Sequence, residues 1–116
     1  MSIQAYQQAA VRAESPRETE WRAFSVATAA LLRAEEAGLS AAGIVGEALY
    51  QNRRLWSTLA LDCAQDGNAL PAPVRAQIIS LALWVDKHST KVAKGEAAIG
   101  DLIAVNRSIM EGLSGR

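Results

Sequence analysis

Four stretches of this chain carry apolar residues at alternating spacings of three and four, and short breaks separate them. The third stretch is the cleanest, with Val74, Ile78, Leu81, Val85, His88 and Val92 in one row. Such a period places one apolar stripe along an α-helix, and a lone helix of this kind leaves its stripe in water. Several amphipathic helices joined by short connections therefore have to bury their stripes against one another. No stretch shows the strict alternation of a half-buried strand, and there is no internal repeat or low-complexity segment. The expected fold class is all-α: an antiparallel four-helix bundle with a short N-terminal helical arm, in one domain over residues 1–116.

The breaks fix the expected boundaries. In "ESPRETEWRAF", Ser15 stands before Pro16 and three residues before Glu18, which reads as a capping box with proline at the first helical position. That helix runs from Pro16 to about Ala37 and stops at Gly38, with Trp21, Phe24, Ala27, Thr28, Leu31 and Leu32 as its stripe. Ser40 is expected to cap the next helix, Ala41 to about Ala64, with the stripe Val45, Leu49, Asn52, Trp56, Leu59 and Cys63. Gly43 and Gly46 either weaken its first turns or let another backbone approach closely. "QDGNALPAP" is a loop. The third helix starts near Pro71 or Pro73 and reaches about Ala93, and Gly95 ends it. The last spans Glu96 to Leu113, with Ile99, Leu102, Asn106, Ile109 and Leu113 in line and Ile103 and Met110 beside them. The arm, Ile3 to Ala13, carries Ile3, Tyr6 and Ala10 on one side. It is too short to be stable as an isolated helix, so it needs a surface to dock on. Beside a partner groove, it would act as a cover.

Composition argues against several functions. Lys plus Arg and Asp plus Glu are 12 each, so the net charge is zero and there is no basic excess for phosphate. No direct nucleic-acid binding and no membrane insertion are expected, since no apolar run approaches the ~18 residues of a span. The N-terminus lacks the basic start and apolar block of a signal peptide, so the expected location is cytoplasmic. One cysteine and one histidine provide no metal cluster, and Cys63 and His88 both fall on stripes, where packing outweighs a catalytic pair. There is no glycine-rich phosphate loop. No enzyme and no cofactor are expected.

What stands out is polar residues within apolar stripes. Asn52 and Asn106 occupy interior positions, and arginines follow each: Arg53 and Arg54 in "NRRLW", Arg107 in "NRSIM". One reading is structural: the amides bond across the bundle and fix its register, while the arginines extend to the rim or pair with Asp62, Asp66 or Asp86. The other is a partner groove, in which Asn, Arg and Trp are typical anchors for a helical ligand. The candidate partner-binding residues are Tyr6, Trp21, Asn52, Arg53, Arg54, Trp56, Trp84, Asn106 and Arg107.

"ESPRETEWRAF", "NRRLWSTLALD", "GNALPAPVRAQIISLALWVDKHSTKV" and "LIAVNRSIMEGL" together resemble the flagellar protein FlaF family of alphaproteobacteria, in order and over nearly the whole chain. The resemblance implies a role in flagellum biogenesis. It suggests a cytoplasmic chaperone or adaptor that holds flagellin for secretion, with flagellin as partner and FlbT as a second candidate partner. A second implied role is post-transcriptional regulation of flagellin expression, acting with FlbT on flagellin mRNA. Arg53 and Arg54, with Arg12, Arg17 and Arg22 elsewhere, are the residues that would support RNA contact.

Overall fold

The computed structural model describes residues 16–113, and the arm with Tyr6 and Ser15 lies outside them. Four helices follow in order: α1 (Pro16–Ala37), α2 (Ala42–Cys63), α3 (Ala72–Ala93) and α4 (Ile99–Leu113). Among the described residues there is no strand. Neighbours in sequence pack as neighbours in space, and α4 returns to α1, which is the antiparallel bundle expected. The arrangement is not even. The α1–α2, α2–α3 and α1–α4 pairs pack along their lengths, whereas α3 and α4 meet lightly.

The helix ends follow local chemistry. Gly38 and Gly95 take positive φ of 79° and 75°, the left-handed conformation that ends a helix with no Cβ penalty. Gly38 N–H bonds Ala34 O. At the end of α3, Gly95 N–H bonds Val92 O and Glu96 N–H bonds Lys91 O, the paired bonds of a Schellman motif. That second bond corrects the expected start of α4: Glu96 finishes α3, so the last helix begins at Ile99 rather than Glu96. Ser40 also fails as a cap. The N-cap of α2 is Ala41, with no side-chain bond, and Ala41 O receives the first amides, those of Ile44 and Val45. In the loop between α2 and α3, Asn68 accepts the Leu70 N–H at 2.9 Å and donates to Asp62.

The expected stripe of α2 is buried in full, from Val45 to Cys63. Phe24, Ala27, Leu31 and Ala34 of α1, Ile78, Val85 and Val92 of α3, and Leu102 and Ile103 of α4 complete the core. Phe24 meets Trp56 edge to face at 5.2 Å between centroids. Trp21 departs from expectation and is exposed. It lies two turns before Thr28, whose hydroxyl meets Met110, and the described part of α4 ends at Leu113, one turn past Met110. The α3 stripe also splits: Val74 is exposed, and Leu81 and His88 are half-buried, because that row faces the lightly packed α4. Ser89, which the apolar pattern passed over, is completely buried, its hydroxyl donating to Val85 O at 2.7 Å.

Candidate functional site

The two interior asparagines meet. Asn106 Nδ2 donates to Asn52 Oδ1 at 2.8 Å and to Thr28 Oγ1 at 3.1 Å, and Asn106 Oδ1 accepts Trp56 Nε1–H at 2.9 Å. One side chain of α4 thereby engages α1 and α2 through both amide hydrogens and its carbonyl. A one-step slip of any of these helices would break the set and strand buried polar atoms, each at about 1–3 kcal/mol. This is how the bundle fixes its register. Asn52 Nδ2 is buried with no partner among the described residues. Asn52, Trp56 and Asn106 are at most 1% exposed, so these three candidates form the interior and offer nothing to a partner while the bundle is closed.

The arginines that follow the asparagines diverge. Arg53 is half-buried between α2 and α3, and its Nε and Nη2 both donate to Asp86 Oδ1, at 3.1 and 2.7 Å. Arg54, one residue on, is exposed and its guanidinium has no partner among the described residues. Arg107 is exposed on α4, away from both. The echo in sequence is an echo of the asparagines, not of their neighbours.

Arg53 and Arg54 line a groove of about 400 Å³ between α2 and α3. Gly46, Leu49, Tyr50 and Ser57 of α2 complete one wall, with Asp86 and Ala93 on the other. Gly46, Tyr50, Arg53 and Ser57 are spaced four, three and four apart, a row directly beside the buried stripe Val45, Leu49, Asn52 and Trp56. That spacing was readable, but nothing in it says that the row is uncovered. Gly46 is exposed, and a Cβ built on it would meet nothing within 4 Å; the same is true of Gly43. Their conformations do not need glycine either, since the positive-φ glycines are Gly38 and Gly95. Gly46 therefore leaves a bare backbone at one end of the groove, where another backbone can come close.

Two tryptophan candidates stand elsewhere. Trp84 lies two residues from Asp86, hence about 200° around α3 and on its far flank. It stacks on His88 at 4.4 Å, and His88 Nε2 meets Asp101 Oδ2 at 2.9 Å. Trp21 projects from α1, which does not border the groove. Cys63 is buried, and Arg75 Nη1 reaches its carbonyl at 3.4 Å. Burial first, and then the carboxylates of Asp62 and Glu20, push its thiol above the ordinary range, while Arg75 pulls the other way. A thiol so held is a packing group and a poor nucleophile at neutral pH. Among the described residues no group of His, Cys, Asp and Glu is placed to hold a metal ion, and no helix is long and apolar enough to cross a membrane.

A family model described as "Flagellar protein FlaF" matches residues 2–113. The chain belongs to the FlaF family. It is thus a flagellar protein, as the sequence resemblance implied, and the family match includes the arm as well as the four helices. No curated protein and no solved structure matches the chain.

Proposed function

We propose that this FlaF-family protein is a flagellin-binding chaperone or adaptor, which holds an amphipathic flagellin helix in the α2–α3 groove before export. The observation that carries the reading is the groove itself. From Gly46 to Ser57 it runs about 16 Å along α2, three turns of helix. Its floor is Leu49 and bare glycine backbone, and its rim carries one arginine already paired and one free. That combination suits a helix-in-groove ligand: the apolar stripe lies on the floor, and a carboxylate or helix C-terminus meets Arg54. Arg53 can exchange Asp86 for a partner carboxylate at little cost, because the Arg53 and Asp86 side chains keep 39% and 65% of their surface in solvent and such pairs contribute about 0–1 kcal/mol.

Titration calorimetry with purified flagellin tests this. The expected result is a stoichiometric complex that Arg54→Glu weakens without lowering the melting temperature. Undiminished binding by Arg54→Glu and by a groove-filling variant would place flagellin on another surface. Complex formation with FlbT and not with flagellin would favour the regulatory role. An RNA contact would show as gel-shift binding of a flagellin leader that falls steeply with salt. The zero net charge and the division of the arginines among helices give that outcome little support.

A further inference from the structure

Zero net charge does not make an even surface. The charges of the four helices are divided by side. α2, α3 and Lys94, the C-cap of α3, carry six cationic side chains against three carboxylates. α1 and α4 carry four against six. The cationic half is the one that holds the groove. Within the groove Arg53 and Asp86 cancel one another. Lys87 and Lys94 each follow a residue of the α3 wall, Asp86 and Ala93, and both are exposed. One residue on is about 100° further round a helix, and the buried Val85, Ser89 and Val92 lie on the opposite side, so the two lysines stand on the outer rim. They are seven residues apart, two turns or about 11 Å along α3. Arg54 holds the matching place on the α2 wall, one residue past Arg53. None of these three cations has a carboxylate partner among the described residues. Glu47, seven residues before Arg54 on the same rim, is an opposing charge, and Gln51 Nε2 donates to it at 2.9 Å.

Apolar side chains lie between these rims. Tyr50, Leu61 and Leu83 are 58%, 66% and 62% exposed. Tyr50 lines the groove, and Leu61 continues its wall one turn past Ser57. Arg53 meets Asp86, so in the antiparallel pair Leu83 is level with Trp56, beside Ser57.

We infer that the segment this groove takes is an acidic amphipathic helix. Its apolar stripe lies along Leu49, Tyr50, Leu61 and Leu83. Carboxylates flank that stripe on both sides, one toward Arg54 and two, seven residues apart, toward Lys87 and Lys94. This rests on the flagellin reading and adds the chemistry of the flagellin segment that the groove receives. The spacing selects a helix. Residues seven apart on a helix are about 11 Å apart on one edge, as the two lysines are, whereas in a strand they would be about 23 Å apart. The apolar rows select against nucleic acid, because a phosphate backbone offers nothing to Leu61 and Leu83, and three cations opposed by Glu47 are few for it. Exposed rim charges set which partner binds more than how tightly, so a basic helix with the same apolar stripe is turned away by repulsion.

Two synthetic amphipathic helical peptides test this. They share one apolar stripe and carry either Glu or Lys at the flanking positions. Titrated into the full chain by fluorescence anisotropy, the acidic peptide should bind at least about tenfold more tightly than the basic one, and less so as salt rises. Lys87→Glu and Lys94→Glu should each weaken the acidic peptide by at least about threefold, and Arg33→Glu, the same charge change on α1, by less than about twofold. Thermal melts of the three variants should match the parent. Equal binding of the two peptides, binding of neither, or lysine variants no weaker than Arg33→Glu would overturn the acidic helix. So would a single-stranded RNA that displaces the acidic peptide, by giving the face to nucleic acid. Flagellin titrated into the same variants separates the two readings. If flagellin does not bind while the acidic peptide binds as expected, the flagellin reading fails and the acidic helix stands. If flagellin binds and the lysine reversals weaken it no more than Arg33→Glu does, the acidic helix fails and the flagellin reading stands.

Discussion

Gly46 separates stability from binding, because its absent side chain does nothing for the fold. It is the fifth residue of α2, is exposed, has no positive φ, and an added Cβ has open space around it. Alanine there should remove unfolded-state freedom at no steric cost, a gain of about 0.5–1 kcal/mol. For a domain of this size, that raises the melting temperature by roughly 2–8 °C. Gly46→Leu should gain nearly as much, since leucine follows closely in helix propensity. In the groove, however, the leucine side chain stands where a partner helix would approach. If the flagellin reading is right, Gly46→Leu should bind flagellin at least about tenfold more weakly, a loss of about 1.4 kcal/mol.

The assays are thermal melting followed by circular dichroism, and calorimetric titration with flagellin on the same preparations. Gly112→Ala, at an equally open position on α4, is the control and should leave binding unchanged. A Gly46→Ala variant that melts lower would show that the space around Gly46 is not free. A Gly46→Leu variant that melts higher and still binds as before would remove the groove from consideration.

Asn106→Ala should be among the most damaging single changes, at roughly 3–5 kcal/mol by urea unfolding, because it strands Trp56 Nε1–H and Asn52 Oδ1 in the core. Gly95→Ala should cost about 1 kcal/mol from its backbone alone, since the new Cβ would make an ordinary 3.8 Å contact with Leu39. A melt unchanged within error would contradict the αL argument. Cys63 should react slowly with thiol reagents until the protein unfolds. Its raised thiol keeps the proton in the folded state when the unfolded chain has lost it. The associated stability is therefore complete below about pH 8.5 and declines as pH rises from there through the folded value. Cys63→Ala should flatten that alkaline decline in denaturant titrations.

The core was legible because burial and period are the same signal. Every residue of the α2 stripe from Val45 to Cys63 is buried, and the two asparagines within it and in α4 were recognisable as register pins because a polar residue at an interior position needs a partner. Helix stops at Gly38 and Gly95 were equally plain. The start of α4 was not. "GEAAI" has good helix formers from Glu96 onward, but the Schellman bond takes the Glu96 amide and turns the chain first. Ser40 is a favourable cap type that loses to a tight turn in which Ala41 N–H bonds Gly38 O.

The surface was harder to read. Period tells which side of a helix is apolar, but exposure depends on which neighbour reaches it. Trp21 and Val74 satisfy their stripes as well as Phe24 and Ile78 do, yet both stand exposed, the second because α4 packs only lightly on α3.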